Sequence, residues 1–323
     1  MSHIKLRVTH QTCYDYSPVV ETAQHITHLR PITTGTQQLV SHSLDVQPPP
    51  AQQTETLDVY GNTRTFFALD YSHNKLLVTA LSEVETSAPV PPPLTADGSP
   101  PWEQVRERFR FRAGGIHDAA AEFTFPSDYV PRHEDFVAYA RPSFAAGTPL
   151  LVAANDLMQR IFRDFTYESL STDVSTPAVE ALAQRKGVCQ DFAHIMIACF
   201  RAMGLPARYV SGYMLTMPPE GQPRLIGSDA SHAWTSVYVP GCNDPAQDCH
   251  EPGAGDAGDA ACWFDFDPTN NRSPGEDYVT LAVGRDYGDV SPMRGVIHGG
   301  ARHTLHVGVT VEPVDNPAVR APA

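Results

Sequence analysis

Gly187-Val188-Cys189-Gln190-Asp191-Phe192-Ala193-His194 is the stretch from which the rest of the chain can be read. The apolar residues that follow, Ile195, Met196, Ile197 and Phe200, set a helix starting at about residue 188 and ending at Gly204. A cysteine in the first turn of a helix faces free backbone N–H groups and the positive end of the helix dipole. Both favour thiolate over thiol, as would Arg185 and Lys186 if they lie near. The backbone N–H of Cys189 is also placed to donate to an oxyanion. The plain alternative is a small, inert core residue, and a cysteine at a helix start does not defeat it alone. Cys199, mid-helix among apolar neighbours, is read in that plain way.

Two other stretches change the balance. In Ser231-His232-Ala233-Trp234 a histidine opens a strand after a polar loop, and in Phe264-Asp265-Phe266-Asp267-Pro268-Thr269-Asn270 a strand ends at Asp267, where Pro268 forces a turn. Separately they read as a structural histidine beside Trp234 and an Asp–Pro turn. Together the three stretches supply a nucleophile (Cys189), its base (His232) and a carboxylate (Asp267) that holds the imidazole tautomer, each at the end of an element. Gln190, Asp191 and Trp234 are candidates for substrate contact, and Asp191 is equally suited to charge the first helical turn. His194, five residues after Cys189, reads as structural.

Working outward, Thr148-Pro149 opens a helix carrying Leu151, Ala154, Met158, Ile161 and Phe165, and Thr176-Pro177 opens a shorter one that Gly187 would close. Strands follow the cysteine helix at 207–214, 232–239 and 262–267. Helices first and strands after give an α+β unit. Upstream, residues 1–88 alternate apolar and polar positions, as in Ile4, Leu6 and Val8, with a tight turn at Gly61-Asn62. They read as a small antiparallel sandwich or barrel. The Pro-rich residues 89–102 read as a linker, and 103–323 as the second unit. Residues 243–261, rich in Asp, Gly, Ala and Pro, read as a long hairpin insertion.

Composition narrows the function. Only 23 Lys and Arg stand against 37 Asp and Glu, a net charge of -14, which argues against nucleic acid or an anionic membrane as partner. No apolar run has the length of a membrane span, and the alternating N-terminus reads as a strand rather than a signal peptide. The expectation is a cytoplasmic protein whose 6 cysteines are free thiols. Cys242, Cys249, His250 and Cys262 lack the paired spacing of a structural zinc site, so neither metal nor cofactor is expected.

The cysteine run, Gly204-Leu205-Pro206-Ala207-Arg208-Tyr209-Val210-Ser211-Gly212-Tyr213, Ser231-His232-Ala233-Trp234 and Asp267-Pro268-Thr269-Asn270 resemble the bacterial transglutaminase-like superfamily. Val283-Gly284-Arg285-Asp286-Tyr287-Gly288-Asp289-Val290-Ser291-Pro292 is similar to a segment of one bacterial branch. Arg285 and Asp286 in it read either as a pair near the cleft or as a buried tie to the core. Thr12-Cys13-Tyr14-Asp15-Tyr16, Leu29-Arg30-Pro31, Asp58-Val59-Tyr60-Gly61-Asn62 and His73-Asn74-Lys75-Leu76 resemble the β-domain that accompanies that branch. The resemblance implies a papain-like core of helices and antiparallel sheet with a Cys-His-Asp triad, acting on a peptide or amide through a thioester. Water as acceptor gives a peptidase or amidase, an amine gives a transamidating acyltransferase, and the first is preferred. A non-enzymatic binding or scaffold protein is the reading from another class. Some family members carry an aromatic oxyanion donor. Tyr167 is the candidate by position, with a packed core tyrosine the equal alternative.

Overall fold

The computed structural model describes residues 3–87, 96–113, 118–168, 176–216, 231–240, 262–300 and 302–314. The elements in chain order are β1 (His3–Thr27), β2 (Gln37–Gln47), β3 (Gln52–Leu57), β4 (Thr63–Leu69), β5 (His73–Ser87), α1 (Trp102–Arg108), α2 (Glu134–Ala140), α3 (Leu150–Asp164), β6 (Thr166–Tyr167), α4 (Ala178–Gln184), β7 (Lys186–Gly187), α5 (Cys189–Ala202), β8 (Ala207–Met214), β9 (Ser231–Val239), β10 (Cys262–Phe266), β11 (Tyr278–Gly284), α6 (Tyr287–Val290), β12 (Met293–Gly299) and β13 (Arg302–Pro313). The proposed insertion at 243–261, Cys242, Cys249, His250 and residues 88–95 of the linker lie outside the described residues.

The first sheet is antiparallel and is organised by β1. The first half of that strand pairs with β5 and β13, and its second half with β4 and β12. One 25-residue strand therefore serves two sets of neighbours. The sequence places everything beyond residue 103 in the second unit, but Met293–Gly299 and Arg302–Pro313 return to complete the first sheet along β1. The reason is pairing: laid along β1, Val309 and Val311 are buried in the core of the first sheet with Leu6 and Val8, while Leu305 and Val307 stay exposed.

The second sheet has the order β10-β9-β8-β11. One face carries α5, with Thr235 Oγ1 donating to the Ala193 carbonyl at 3.2 Å. The other face meets the first sheet, where Tyr213, Val279 and Leu281 join the core around Leu6 and Leu76. The outer edge of β11 is closed by side chains. The Gln37 carboxamide donates to the Thr280 carbonyl (2.7 Å) and accepts from its N–H (2.8 Å), and the Asn62 carboxamide does the same with Val283 (2.7 and 2.8 Å). Each such bond is worth about 1 kcal/mol, and together they fix one sheet on the other.

The helices match the apolar periods, with shifts at their ends. α3 begins at Leu150, with Pro149 still extended. α4 closes earlier than Gly187: its cap is Arg185, in the left-handed region at φ 57°. That conformation is held by stacking, since the Arg185 guanidinium lies 4.4 Å from the Tyr139 ring centre and 4.9 Å from that of Phe165. Gly187 is thereby left for another purpose. Gly204, at φ +79°, closes α5 as expected.

Candidate active site

Val188 enters α5 in an extended conformation, and Cys189 is the first helical residue, half-buried against the main core. The helix start is held by Asp191, whose Oδ2 accepts the Val188 N–H at 2.8 Å. Asp191 is buried, so of its two readings the structure supports the helix cap and removes it from substrate contact. Gly187 makes room for that cap. A Cβ there would lie 2.6 Å from Asp191 Oδ2 and 2.7 Å from Asp191 Cβ. Gly187→Ala is therefore expected to cost about 1–3 kcal/mol of stability and to slow alkylation of Cys189, read by thermal unfolding and by iodoacetamide labelling. A variant with wild-type melting and labelling would refute the packing argument.

His232 and Asp267 come together from the ends of β9 and β10. His232 Nε2 donates to Asp267 Oδ2 at 2.7 Å. The other ring nitrogen is left for Cys189, with which His232 also shares a hydrogen bond. Burial alone would lower the imidazole, but the hydrogen bonds to Asp267 and Cys189 and the charges of both raise it to about 10.

Asp267 is buried, and its carboxylate is saturated with donors. Oδ1 accepts from the N–H groups of Thr269 (2.8 Å) and Asn270 (3.2 Å). Oδ2 accepts from Asn270 Nδ2 and the Tyr278 hydroxyl, each at 2.7 Å, besides His232. Burial works against the anion, but these donors, His232 first, hold the carboxyl below its ordinary value. Tyr278 and Asn270 are the site residues that sequence reasoning missed. Asn270 lay within the quoted motif, whereas Tyr278 had no local signal. Its ring packs 5.9 Å from that of His232 and 5.4 Å from that of Trp234.

The pH dependence of stability follows. A histidine raised from an ordinary ~6.5 to about 10 contributes stability in full below the lower value and loses it as pH rises through the upper one. Unfolding free energy is expected to fall across that interval and to fall less in His232→Gln. Urea titrations at three pH values check this, and equal slopes for the two proteins would contradict the pairing.

The other candidates separate. Tyr167 pairs in register with Gly187, its ring stands edge-on to Phe192 at 6.4 Å, and 52% of the residue is exposed. Burial and the nearby Cys189 raise its phenol. Gln190 is partly exposed beside Cys189. Trp234 is 0% exposed, with its indole N–H on Asp265 Oδ2 at 3.0 Å, so it lies beneath His232 instead of lining a cleft. Lys186 pairs with Glu168 at 2.9 Å and Arg185 stacks on two rings, so neither is directed at Cys189 as the sequence had allowed. Arg285 pairs with Asp289 (2.9 Å) rather than with Asp286, which caps α6 and accepts from Tyr129 N (3.0 Å). His194 is structural: burial holds it down to about 3, and it accepts the Tyr287 N–H at 3.2 Å.

Comparison with known proteins finds matches along most of the chain. Residues 6–85 match the family model of the bacterial transglutaminase-like N-terminal region, and 137–268 that of the transglutaminase-like superfamily. The chain is 40% identical over 321 residues to protein Rv2569c of Mycobacterium tuberculosis, covering 98% of this chain and 95% of that one. It is 27% identical to protein ML0607 of Mycobacterium leprae, covering 95% and 98%. A solved structure described as a candidate cysteine protease from Cytophaga hutchinsonii superposes with a TM-score of 0.70 at 21% identity, over 98% of this chain and 92% of that one, a likeness of fold.

Proposed function

This chain belongs to the transglutaminase-like superfamily, and on that footing we propose that it is a cysteine hydrolase cleaving a peptide or other amide bond through a thioester on Cys189. The observation that carries the proposal is His232, hydrogen-bonded on one side to Cys189 and on the other to Asp267 at 2.7 Å. The Cys189 sulfur attacks the carbonyl carbon while its proton rests on His232. The tetrahedral oxyanion is met by the Cys189 backbone N–H at the start of α5, with the Tyr167 hydroxyl as second donor. As the C–N bond breaks, His232 passes its proton to the leaving amine. Water then attacks the thioester and gives its proton to His232. The acid is released, and Cys189 and His232 return as the starting pair. Asp267 keeps the imidazole in one tautomer and stabilises its charged form throughout. Exposed Tyr167 and partly exposed Gln190 flank the nucleophile and are the proposed substrate contacts.

An amine in place of water would make the same triad a transamidase, and a protein without turnover would be a binding or scaffold protein. One experiment separates the three. Peptide and amide libraries are incubated in ¹⁸O-water with and without a primary amine, and the products are weighed. The hydrolase reading expects one ¹⁸O per released acid in both arms. Exclusive amine adducts would overturn it in favour of transamidation, and no Cys189-dependent product at all would leave only the binding reading. We also place the enzyme in the cytoplasm, a proposal that the free thiols of Cys13, Cys189 and Cys199 suit. Recovery of the native protein from a periplasmic or secreted fraction would refute it.

A further inference from the structure

Arg272 ends the turn that begins at Asp267, and its backbone closes that turn. The Asp267 N–H donates to the Arg272 carbonyl at 2.9 Å, and the Arg272 N–H donates back to the Asp267 carbonyl at 3.4 Å. The side chain makes a second connection. Its guanidinium carbon lies 4.6 Å from the centre of the Tyr278 ring, and the Tyr278 hydroxyl donates to Asp267 Oδ2 at 2.7 Å. One residue thus meets the triad carboxylate twice, through the backbone of its turn and through the ring of its phenol donor.

The guanidinium is itself held in place. Nη1 donates to Asp277 Oδ1 at 3.3 Å, and Nη2 donates to Asp277 Oδ2 and, at 3.6 Å, to Met214 Sδ. Met214 ends β8 and Asp277 stands just before β11, so the side chain is tied to two paired strands. Exposure falls along this path, from 43% for the Arg272 side chain to 4% for Tyr278 and 0% for Asp267. A surface cation therefore reaches the buried carboxylate across a single ring. An exposed Arg–Asp pair adds little stability by itself, so the consequence of this arrangement lies in the ring that the cation covers.

We propose that Arg272 is a positioning residue of the triad: braced on Asp277, its guanidinium holds the Tyr278 ring and so keeps the phenol donating to Asp267. It acts through Tyr278 and takes no part in the chemistry itself. The proposal rests on the triad reading given above. The titratable groups that face His232 and Tyr278 are Cys189 on α5, Asp267 after β10 and Arg272, with Asp277 behind the guanidinium. Loss of the guanidinium has two effects of opposite sign. As a charge, a missing cation would raise the proton affinity of His232. As a brace, its absence loosens the carboxylate that stabilises the imidazolium and lowers that affinity. The brace prevails, because the charge is partly exposed and already paired with Asp277, so little of it is felt at His232.

The experiment is an NMR titration of the His232 ring in the full-length protein labelled with ¹⁵N-histidine, the signal being assigned with His232→Gln. The wild-type ring is expected to titrate at about 10. Arg272→Met keeps an apolar side chain over the ring and loses the guanidinium, and should lower the proton affinity of His232 roughly two- to fivefold. Arg272→Lys, which restores a cation, should return most of the loss. In a Tyr278→Phe background Arg272→Met should add nothing further, since the two residues act along one path. Thermal unfolding of each variant checks the fold, and Arg272→Gln, also uncharged, takes the place of Arg272→Met if methionine is not tolerated. An unmoved or raised titration in the uncharged variant, or an undiminished effect in Tyr278→Phe, would overturn the proposal. Asp267→Asn tests the reading beneath it. If Asp267→Asn moves the titration and Arg272→Met does not, the proposal alone fails. If neither moves it, the triad reading has failed and the proposal with it.

Discussion

Replacing Cys189 by alanine is expected to lower turnover of any amide substrate by roughly a million-fold, to the uncatalysed background or close to it. The magnitude follows from the division of labour. On the proposed mechanism no thioester forms without the sulfur, and His232 and Asp267 have nothing to activate, so the loss of one of the three groups costs nearly the whole. Stability should change little, because Cys189 is only half-buried and alanine suits a first helical turn. Cys199→Ala makes the contrast. That thiol is fully buried in α5, and burial pushes it up and keeps it protonated. Its loss should cost about 1–2 kcal/mol of stability and leave turnover intact, since it removes packing and no chemistry. Activity assays and thermal unfolding on both variants decide the matter. Residual turnover of Cys189→Ala above about one part in a hundred would mean that another group is the nucleophile.

That Cys189, and not Cys199, stands out in the sequence as the candidate nucleophile reflects how local its signals are. A glycine, a cysteine and an apolar helical run lie within a few residues of one another, and the environment they create depends on the helix start alone. The strands of the second sheet were legible for a similar reason, since 207–214 gathers Ala207, Tyr209, Val210, Tyr213 and Met214 in one short run. What escaped the sequence depends on partners far along the chain. The strand at 302–313 alternates Leu305, Val307, Val309 and Val311 without an address, the one at 293–299 does not alternate, and only pairing with β1 shows that they complete the first sheet. Tyr278 looks like any strand tyrosine until β11 is laid beside β8 and its hydroxyl meets Asp267. Arg185 takes the capping role expected of Gly187 at the end of α4 because stacking on Tyr139 and Phe165 supports a left-handed arginine, a tertiary effect that no helix-capping rule contains.

Asp267→Asn is expected to lower kcat/KM by about 10⁴-fold while the protein stays folded. The wild-type carboxylate offers acceptors only, and five donors converge on it: two backbone N–H groups on Oδ1, and His232, Asn270 and Tyr278 on Oδ2. An asparagine keeps Oδ1 for the backbone and presents an NH₂ to the other three. His232 must then give up the tautomer that directs its second nitrogen to Cys189, or turn away. The charge is lost as well. With Asp267 ionised, His232 is held up to about 10, so it keeps the proton needed by the leaving amine across the neutral range. The alkaline limb of kcat/KM in wild type should accordingly fall as pH passes about 10. In Asp267→Asn that limb should move down toward the ordinary imidazole value of about 6.5, leaving KM nearly unchanged. Tyr278→Phe is the graded companion. It removes one donor and keeps the charge, so it should lower kcat by roughly tenfold with a smaller displacement of the same limb. A structural defect would depress activity equally at every pH, whereas loss of the carboxylate must move the limb. An alkaline limb left in place by Asp267→Asn would show that another group sets the proton of His232.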